Sequence, residues 1–366
     1  MRIFQNFRLG PPYLYWINTK HKKIDQSSYS KRYKLLLNDR YGGVHILKPI
    51  LDESKDAFLA YGDDKISQRF WARENGMATC NLEKILLSQI EDHRTEVLYQ
   101  CDPERYPSNF VNRLPGCVRK TIVWRGSTVN IPNLSTYDCV VSDFEFLNEK
   151  WRKNGWRSAW FAPSWDPVMA EYSSGDNYTS DITFCGSYAR TNGYDTRIEL
   201  LNSLAKFQGL ENQVNFYLSV KKYGRLLDSR PWRWIPWPIF LPRALSSFVR
   251  QPLFGRAMYA AFASSKIVIN PATDMVGVER GNMRCWEALG CGACMVASKG
   301  KYPEGFEEGV NFETYTSAED AQKRIIDLLA DEARRKKMAR AGRDMVAKVW
   351  SKERQWNDFV DLVASL

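Results

Sequence analysis

The chain has 366 residues, 44% of them hydrophobic, and a formal net charge of +10, which suits two α/β domains of ordinary size. No apolar run approaches the roughly 18–20 residues that would span a bilayer, and the first ten residues lack the apolar core of a signal peptide, so we expect a cytoplasmic protein. The positive charge favours anionic partners: nucleotide diphosphates, anionic lipid surfaces or nucleic acid.

Eight cysteines are scattered along the chain, and Cys139 and Cys185 lie inside apolar runs. This pattern favours reduced core thiols over a disulfide framework. Cys291 and Cys294 form a CxxC, but the chain has no second such pair and no histidine nearby. We therefore interpret them as small packing residues, the alternative being a metal or redox site.

The first 170 residues predict an N-terminal Rossmann-like domain. Apolar runs predict strands at 1–7, 95–101, 120–126, 137–143 and 157–163. Helical spacing is found at 52–75, 81–93 and 144–155, and the polar residues 17–32 predict a loop. Gly10 would let the backbone pass close to a ligand, and Asp102 stands at the carboxyl end of a strand.

The polar, Gly- and Ser-rich residues 171–180 predict an interdomain linker, and 181–348 predict a second Rossmann-like domain. Its predicted strands and helices are 181–187, 196–207, 214–220, 264–271, 282–290, 293–298, 318–330 and 332–348. The segment 349–366 predicts a last helix that packs back on the first domain.

Gly186 and Ser187 end the strand 181–187, and a basic helix start with Arg190 and Arg197 follows. A strand, a Gly-Ser pair and a basic helix start form a geometry that suits a phosphate. The alternative is that both arginines are ordinary surface residues.

The segment 230–256 mixes tryptophans, prolines, arginines and aliphatic residues. Trp232, Trp234 and Trp237, with the nearby Arg230, Arg233 and Arg243, could contact an anionic membrane surface. The alternative is a long loop folded onto the domain by its aromatic side chains.

The most informative stretch is 276–296, VGVERGNMRCWEALGCGACMV, which joins a predicted strand to a helix. The amides of Gly281, Asn282 and Met283 fall at the helix start, where free N–H groups and the helix dipole suit a phosphate. Arg280 and Arg284 add guanidinium groups that can grip phosphate in bidentate fashion.

Glu279 and Glu287 flank this helix start with seven residues between them. A carboxylate on the first turns of a helix can accept hydrogen bonds from two vicinal hydroxyls, such as those of a ribose. The alternative for the glutamates and arginines alike is a solvated charged face. Their position between a strand and a helix of an α/β sheet favours a ligand site.

The same stretch resembles the donor-site motif of group 1 (family 4-like) glycosyltransferases of the GT-B fold, in which Glu, seven residues and Glu precede an Ala-x-Gly-x-Gly run. GNMRCWEALGCGACMV is closer still to spore-maturation-protein-like glycosyltransferases. The resemblance implies that Glu287 holds the ribose, that Glu279 lies near the donor sugar, and that the amides of Asn282 and Met283 lie near the diphosphate. It also implies that Gly10 and Asp102 lie on the acceptor side.

The resemblance therefore implies an α/β protein with two Rossmann-like domains facing each other across a cleft, and a hexosyltransferase that needs neither metal nor cofactor. Glu279 and Arg284 would be catalytic. Gly186, Ser187, Arg190, Arg197, Arg280 and the helix start would bind a nucleotide sugar. The acceptor would be a cell-surface glycan, a lipid-linked saccharide or a glycoprotein.

Two alternatives stay open. The first is a non-catalytic protein on the same scaffold that binds nucleic acid or an anionic surface, although we expect no nucleic-acid partner for the transferase. The second is a sugar-nucleotide epimerase or a phosphorylase. Oligomeric state, stereochemistry and any catalytic base are open as well.

Overall fold

The computed structural model describes residues 1–21, 28–173, 177–188, 195–206, 214–220, 242–273 and 277–366. The chain divides into two compact units. The first comprises Met1–Ser164 and Lys352–Leu366, and the second comprises Trp165–Ser351. Trp232, Trp234, Trp237, Arg230 and Arg233 lie outside the described residues, as does Arg190. The membrane contact predicted for 230–256 therefore stays a prediction.

The first unit contains a six-stranded parallel sheet. Its strands are β1 (Ile3–Phe7), β2 (Ala57–Ala60), β3 (Val97–Cys101), β4 (Lys120–Trp124), β5 (Cys139–Ser142) and β6 (Ser158–Trp160). They lie in the order β2-β1-β3-β4-β5-β6, and every pairing is parallel. The order reverses between β1 and β3, because the chain leaves β1 toward β2 and returns on its other side. Such a switch point is where open α/β sheets bind ligands.

The described helices of the first unit lie between these strands along the chain, except the last one, which follows the second unit. They are α1 (Pro11–Lys20), α2 (Tyr29–Asp39), α3 (Lys48–Leu51), α4 (Lys65–Glu74), α5 (Leu82–Asp92), α6 (Ser108–Val111), α7 (Glu145–Lys153) and α14 (Lys352–Ser365). Every residue of β1 and β3 is buried, as expected for strands covered on both faces.

Two sequence-based expectations for this unit are wrong. Residues 17–32 do not form one loop, because α1 continues to Lys20 and α2 begins at Tyr29. Pro11 and Pro12 occupy the first helical positions of α1, where a missing N–H costs nothing. Residues 52–75 do not form one helix either, since β2 precedes α4 and the Asp64 side chain accepts from the amides that start α4.

The second unit contains another six-stranded parallel sheet. Its strands are β7 (Ser180–Tyr188), β8 (Val214–Val220), β9 (Val249–Arg250), β10 (Ser265–Asn270), β11 (Cys294–Ser298) and β12 (Glu313–Tyr315). Its helices are α8 (Asp195–Lys206), α9 (Arg243–Ser246), α10 (Gly255–Ala263), α11 (Met283–Gly290), α12 (Ala318–Ala330) and α13 (Glu332–Val349).

The strand order of the second sheet is β12-β11-β10-β7-β8-β9. Counted from β7, this is the 3-2-1-4-5-6 order of dinucleotide-binding folds read from its other edge, and its switch point lies between β7 and β10. The α/β class and the two Rossmann-like units predicted from the sequence are therefore confirmed. No helix among the described residues is long and apolar enough to cross a membrane.

Helix α14 belongs to the first unit although it follows the whole second unit in sequence. The buried Lys352 Nζ donates to the carbonyls of Gly43 and Ile46 at 2.8 and 2.7 Å. The buried Gln355 Nε2 donates to the carbonyls of Val44 and Ala162 at 3.0 and 3.1 Å. These hydrogen bonds hold α14 in place, because they provide donors for backbone carbonyls that burial removes from water.

We predict that Lys352→Met lowers the urea midpoint of the protein by an amount corresponding to about 3 kcal/mol, because it strips buried carbonyls of charge-assisted donors. Urea titrations followed by tryptophan fluorescence measure this effect. Arg354→Met on the same helix is the control, since the Arg354 side chain is 35% exposed and its 3.8 Å ion pair with Asp358 is of the exposed kind that contributes little to stability. Equal midpoints for the two variants would contradict the fastening role of Lys352.

Candidate functional site

The loop before α11 is shaped by Gly281 and Asn282. Gly281 has φ of 123°, which a side chain rarely adopts, and an added Cβ would lie 3.0 Å from Pro303. Asn282 caps the helix, because its Oδ1 accepts from the Arg284 amide at 3.0 Å. Its Nδ2 donates to Asn270 Oδ1 at 3.2 Å, which ties the helix start to the end of β10.

Backbone donors are available at this helix start. In the part of the chain that the structure describes, the amides of Gly281, Asn282 and Met283 donate to no protein acceptor. They lie at the positive end of the helix dipole, where an anion is stabilised. The phosphate site at these amides stays a prediction.

Arg284 and Glu287 form one charged pair on α11. The Arg284 Nη1 contacts Glu287 Oε2, and its Nε donates to the carbonyl of Cys185 on β7 at 3.2 Å. The Glu287 side chain is 1% exposed, whereas that of Arg284 is 24% exposed. Burial raises the pKa of the Glu287 carboxyl, and the adjacent Arg284 guanidinium partly offsets this rise. The guanidinium is therefore fixed across the carboxyl end of β7.

Arg197, in the first turn of α8, lies at the switch point of the second sheet. It donates to the carbonyl of Pro271 after β10 at 3.1 Å and to that of Ser187 on β7 at 3.4 Å. Its guanidinium lies 5.5 Å from the centre of the Phe184 ring. An added Cβ at Gly186 would collide with that same ring, which explains a glycine there. Gly186, Ser187, Arg197 and the α11 residues thus meet at one edge of the sheet.

The other two charged candidates of this loop lie beside it. Arg280 folds back, and its Nη1 donates to the carbonyls of Gly277 and Glu279 at 2.7 and 2.8 Å. Glu279 forms a parallel bridge with Lys301 and is partly exposed. The predicted contacts of Arg280 with phosphate and of Glu279 with a sugar remain predictions. Asn270 is not among the site residues predicted from the sequence, although its place at the end of a buried strand is a signal that could have identified it.

The candidates of the first unit lie at its own switch point. Asp63 accepts from the amides of Leu9 and Gly10 at 3.0 and 2.7 Å, and Gly10 has a φ of 78° that favours glycine. Asp102 follows β3, and its side chain is 2% exposed beside Arg8 and Arg105. Burial raises the pKa of Asp102 to about 6; Arg8 opposes this rise, and the nearby Asp63 adds to it.

Two histidines of the first unit, His45 and His93, are buried. His45 is buried, and burial with the nearby Lys352 lowers its pKa to about 3, so its ring is neutral. Burial also lowers the pKa of His93, whose Nδ1 lies 3.0 Å from Thr95 Oγ1.

Comparisons with known proteins identify the fold. A family model described as glycosyl transferase-like matches residues 199–361, somewhat less than half of the chain. No curated protein sequence matches the chain significantly.

Among the solved structures that resemble this chain, two match over nearly the whole chain and a third matches over 77% of it. Anabaena HepE, solved in complex with UDP-glucose, is 13% identical with a TM-score of 0.61, over 100% of this chain and 99% of HepE. A Rickettsia africae glycosyltransferase is 13% identical with a TM-score of 0.51, over 98% and 97%. Sucrose-phosphate synthase of Thermosynechococcus elongatus is 11% identical with a TM-score of 0.50, over 77% and 76%. The chain thus has the fold of GT-B glycosyltransferases, as the sequence predicts.

We predict that Asp102→Asn stabilises the protein at pH 8 and does so less at pH 4.5. A carboxyl whose folded pKa of about 6 exceeds its ordinary value of 3.8 destabilises the fold above pH 6, and this cost disappears as the pH falls below 3.8. The gain should be about 2 kcal/mol larger at pH 8 than at pH 4.5.

Urea titrations at the two pH values measure the gain, with Asp56→Asn as the control because the Asp56 side chain is 65% exposed. A gain from Asp102→Asn that does not depend on pH would show that the carboxyl titrates normally.

Proposed function

We propose that the chain is a glycosyltransferase that moves a hexosyl group from a nucleotide-sugar donor to an acceptor, with the donor diphosphate bound at the switch point of the second sheet. One observation supports this proposal most: Arg197, Arg284 and the amides of residues 281–283, which donate to no acceptor among the described residues, lie at the carboxyl ends of β7 and β10. The glycosyl transferase-like family match, residues 199–361, includes β10 and α11, whereas β7 and Arg197 precede it.

A solved structure with the same fold indicates which donors to test first, and a sequence motif supports a family branch. HepE, with the same fold over its whole length, was solved with UDP and with UDP-glucose, which makes uridine diphosphate sugars the first donors to test. The Asn-Met-Arg and Gly-x-Gly-Ala elements of residues 282–293 support the spore-maturation-like branch. The acceptor we propose is a cell-surface glycan, a lipid-linked saccharide or a glycoprotein.

Catalysis in this proposal is electrostatic. The bond between the anomeric carbon and the diphosphate oxygen breaks, an acceptor hydroxyl oxygen bonds to that carbon and loses its proton to water, and negative charge grows on the departing diphosphate. Arg284 and the amides of Asn282 and Met283 stabilise that charge without rearranging, because the protein already holds them in place. Glu287 holds Arg284 and accepts hydrogen bonds from the ribose hydroxyls.

Glu287→Gln should raise the Kd for UDP by about tenfold to a hundredfold, because a carboxylate hydrogen bond contributes about 1.5–3 kcal/mol. Isothermal titration calorimetry measures the Kd for UDP of both proteins. Glu313→Gln is the matched control: the Glu313 side chain is 3% exposed and ion-paired with Arg324 and Arg334 in the same unit, but it lies on the edge strand β12. An unchanged Kd, or an equal change in the control, would refute the ribose role.

We also propose that no metal ion is needed, because guanidinium groups and helix amides already supply positive charge at the diphosphate position. Sugar transfer from UDP-glucose or another donor that binds should be unchanged in excess EDTA. The measurement is the rate of UDP release with and without the chelator. A loss of turnover that manganese restores would show that the protein's own charge is insufficient.

A further inference from the structure

The switch point of the first sheet carries two exposed arginines on one buried carboxylate. Arg8 follows β1, and Asp102 and Arg105 follow β3. Arg8 Nη1 lies 3.7 Å from Asp102 Oδ1, and Arg105 Nε lies 3.4 Å from Asp102 Oδ2. The Arg8 and Arg105 side chains are 41% and 46% exposed, whereas that of Asp102 is 2% exposed. A buried carboxylate therefore lies within ion-pair distance of two guanidinium groups that are partly exposed to solvent.

The remaining carboxylates of this cluster are engaged by protein donors. Glu104 contacts Arg8 and accepts from the mostly buried Arg125 Nη1 at 3.0 Å. Asp63 accepts from the amides of Leu9 and Gly10. The charged side chains that face outward here are Arg8, Arg105 and Glu104, and Glu104 is ion-paired with Arg8 and Arg125. A planar guanidinium recognises a carboxylate or a phosphate through paired hydrogen bonds.

We propose that Arg8 and Arg105, positioned by Asp102, bind an anionic group, either a carboxylate or a phosphate, on the acceptor. The assignment of this anionic group to the acceptor rests on the proposed glycosyltransferase function. Anion binding by Arg8 and Arg105 does not depend on the donor site. It assigns the acceptor to the class of acidic or phosphorylated saccharides. Asp102 is a positioning residue in this arrangement, because Arg8 and Arg105 cover its carboxylate.

The test measures binding of three probes by ligand-observed NMR: methyl glucuronide for a carboxylate, glucose 6-phosphate for a phosphate, and methyl glucoside as the neutral sugar. Excess UDP is present so that anionic probes do not report on Arg284 and Arg197. We expect the anionic probes to bind at least about tenfold more tightly than the glucoside, since a charge-assisted hydrogen bond exceeds that factor. A preference for only one anionic probe identifies the group and supports the proposal.

Arg8→Gln and Arg105→Gln should each weaken binding of the preferred anionic probe by about fivefold or more and leave the glucoside unchanged. Arg2→Gln is the matched control, because Arg2 precedes β1, is 43% exposed and also pairs with an aspartate, Asp56. Asp102→Asn, whose fold circular dichroism checks, should weaken the same probe, as expected for a positioning role.

The proposal is overturned if no probe binds, if all three bind equally, or if Arg2→Gln has the same effect as Arg8→Gln, which would indicate long-range charge alone. Anionic probes that bind through Arg8 while UDP does not bind would defeat the proposed donor function and leave this site standing. UDP binding with no preference for the anionic probes would overturn this anion site and leave the proposed donor function standing.

Discussion

The geometry of the second unit depends on how the carboxyl ends of β7 and β10 are held together. The two strands are parallel neighbours from which the chain departs in opposite directions, so no continuous turn joins their ends. Arg197 bridges them by donating to the carbonyls of Ser187 and Pro271. A buried guanidinium costs free energy unless acceptors surround it, and here strand-end carbonyls and the Phe184 ring do so. The same contacts fix the start of α8 against the loop that leads toward α11.

In the first unit, charged side chains also pair across the strand ends at the switch point, but there the acid is buried and the arginines are partly exposed. There the carboxylate of Asp102 is buried and the arginines that face it are half-exposed. A buried carboxylate with a raised pKa destabilises the fold at neutral pH, and such costs are typical of functional sites rather than of cores. The buried Arg32–Asp64 pair in the same unit differs, because it is bidentate at 2.9 and 3.1 Å and Asp64 also caps α4. That pair connects helices, whereas the Asp102 cluster presents charge to solvent.

The sequence predicts local features well and distant pairings not at all. The bounds of α11 and of α12 follow from local signals: Asn282 and Ser317 cap the helix starts, and apolar residues recur at helical spacing. The region 52–75 is mispredicted because the strand β2 is short, and local spacing cannot tell a short buried strand from a helix turn. The pairing of Arg8 with Asp102 cannot be predicted from local spacing, because the two residues lie 94 positions apart in the sequence. The hydrogen bond from Lys352 to the Gly43 carbonyl likewise joins residues that are distant in the sequence, so local patterns cannot predict it.

Arg280 and Arg284 show why a motif identifies a site better than it assigns roles. Both arginines flank the start of α11 and both were candidates for the diphosphate. The Arg280 guanidinium is directed into carbonyls of its own loop, so it shapes the Gly277–Gly281 turn that places the amides. Arg284 is held instead by a strand carbonyl and by Glu287, across the edge where the proposed diphosphate lies. Stabilising a leaving group requires charge that is already oriented when the bond breaks. In the proposed mechanism, Arg284 contacts the departing diphosphate, and Arg280 acts by holding the loop that carries the backbone donors.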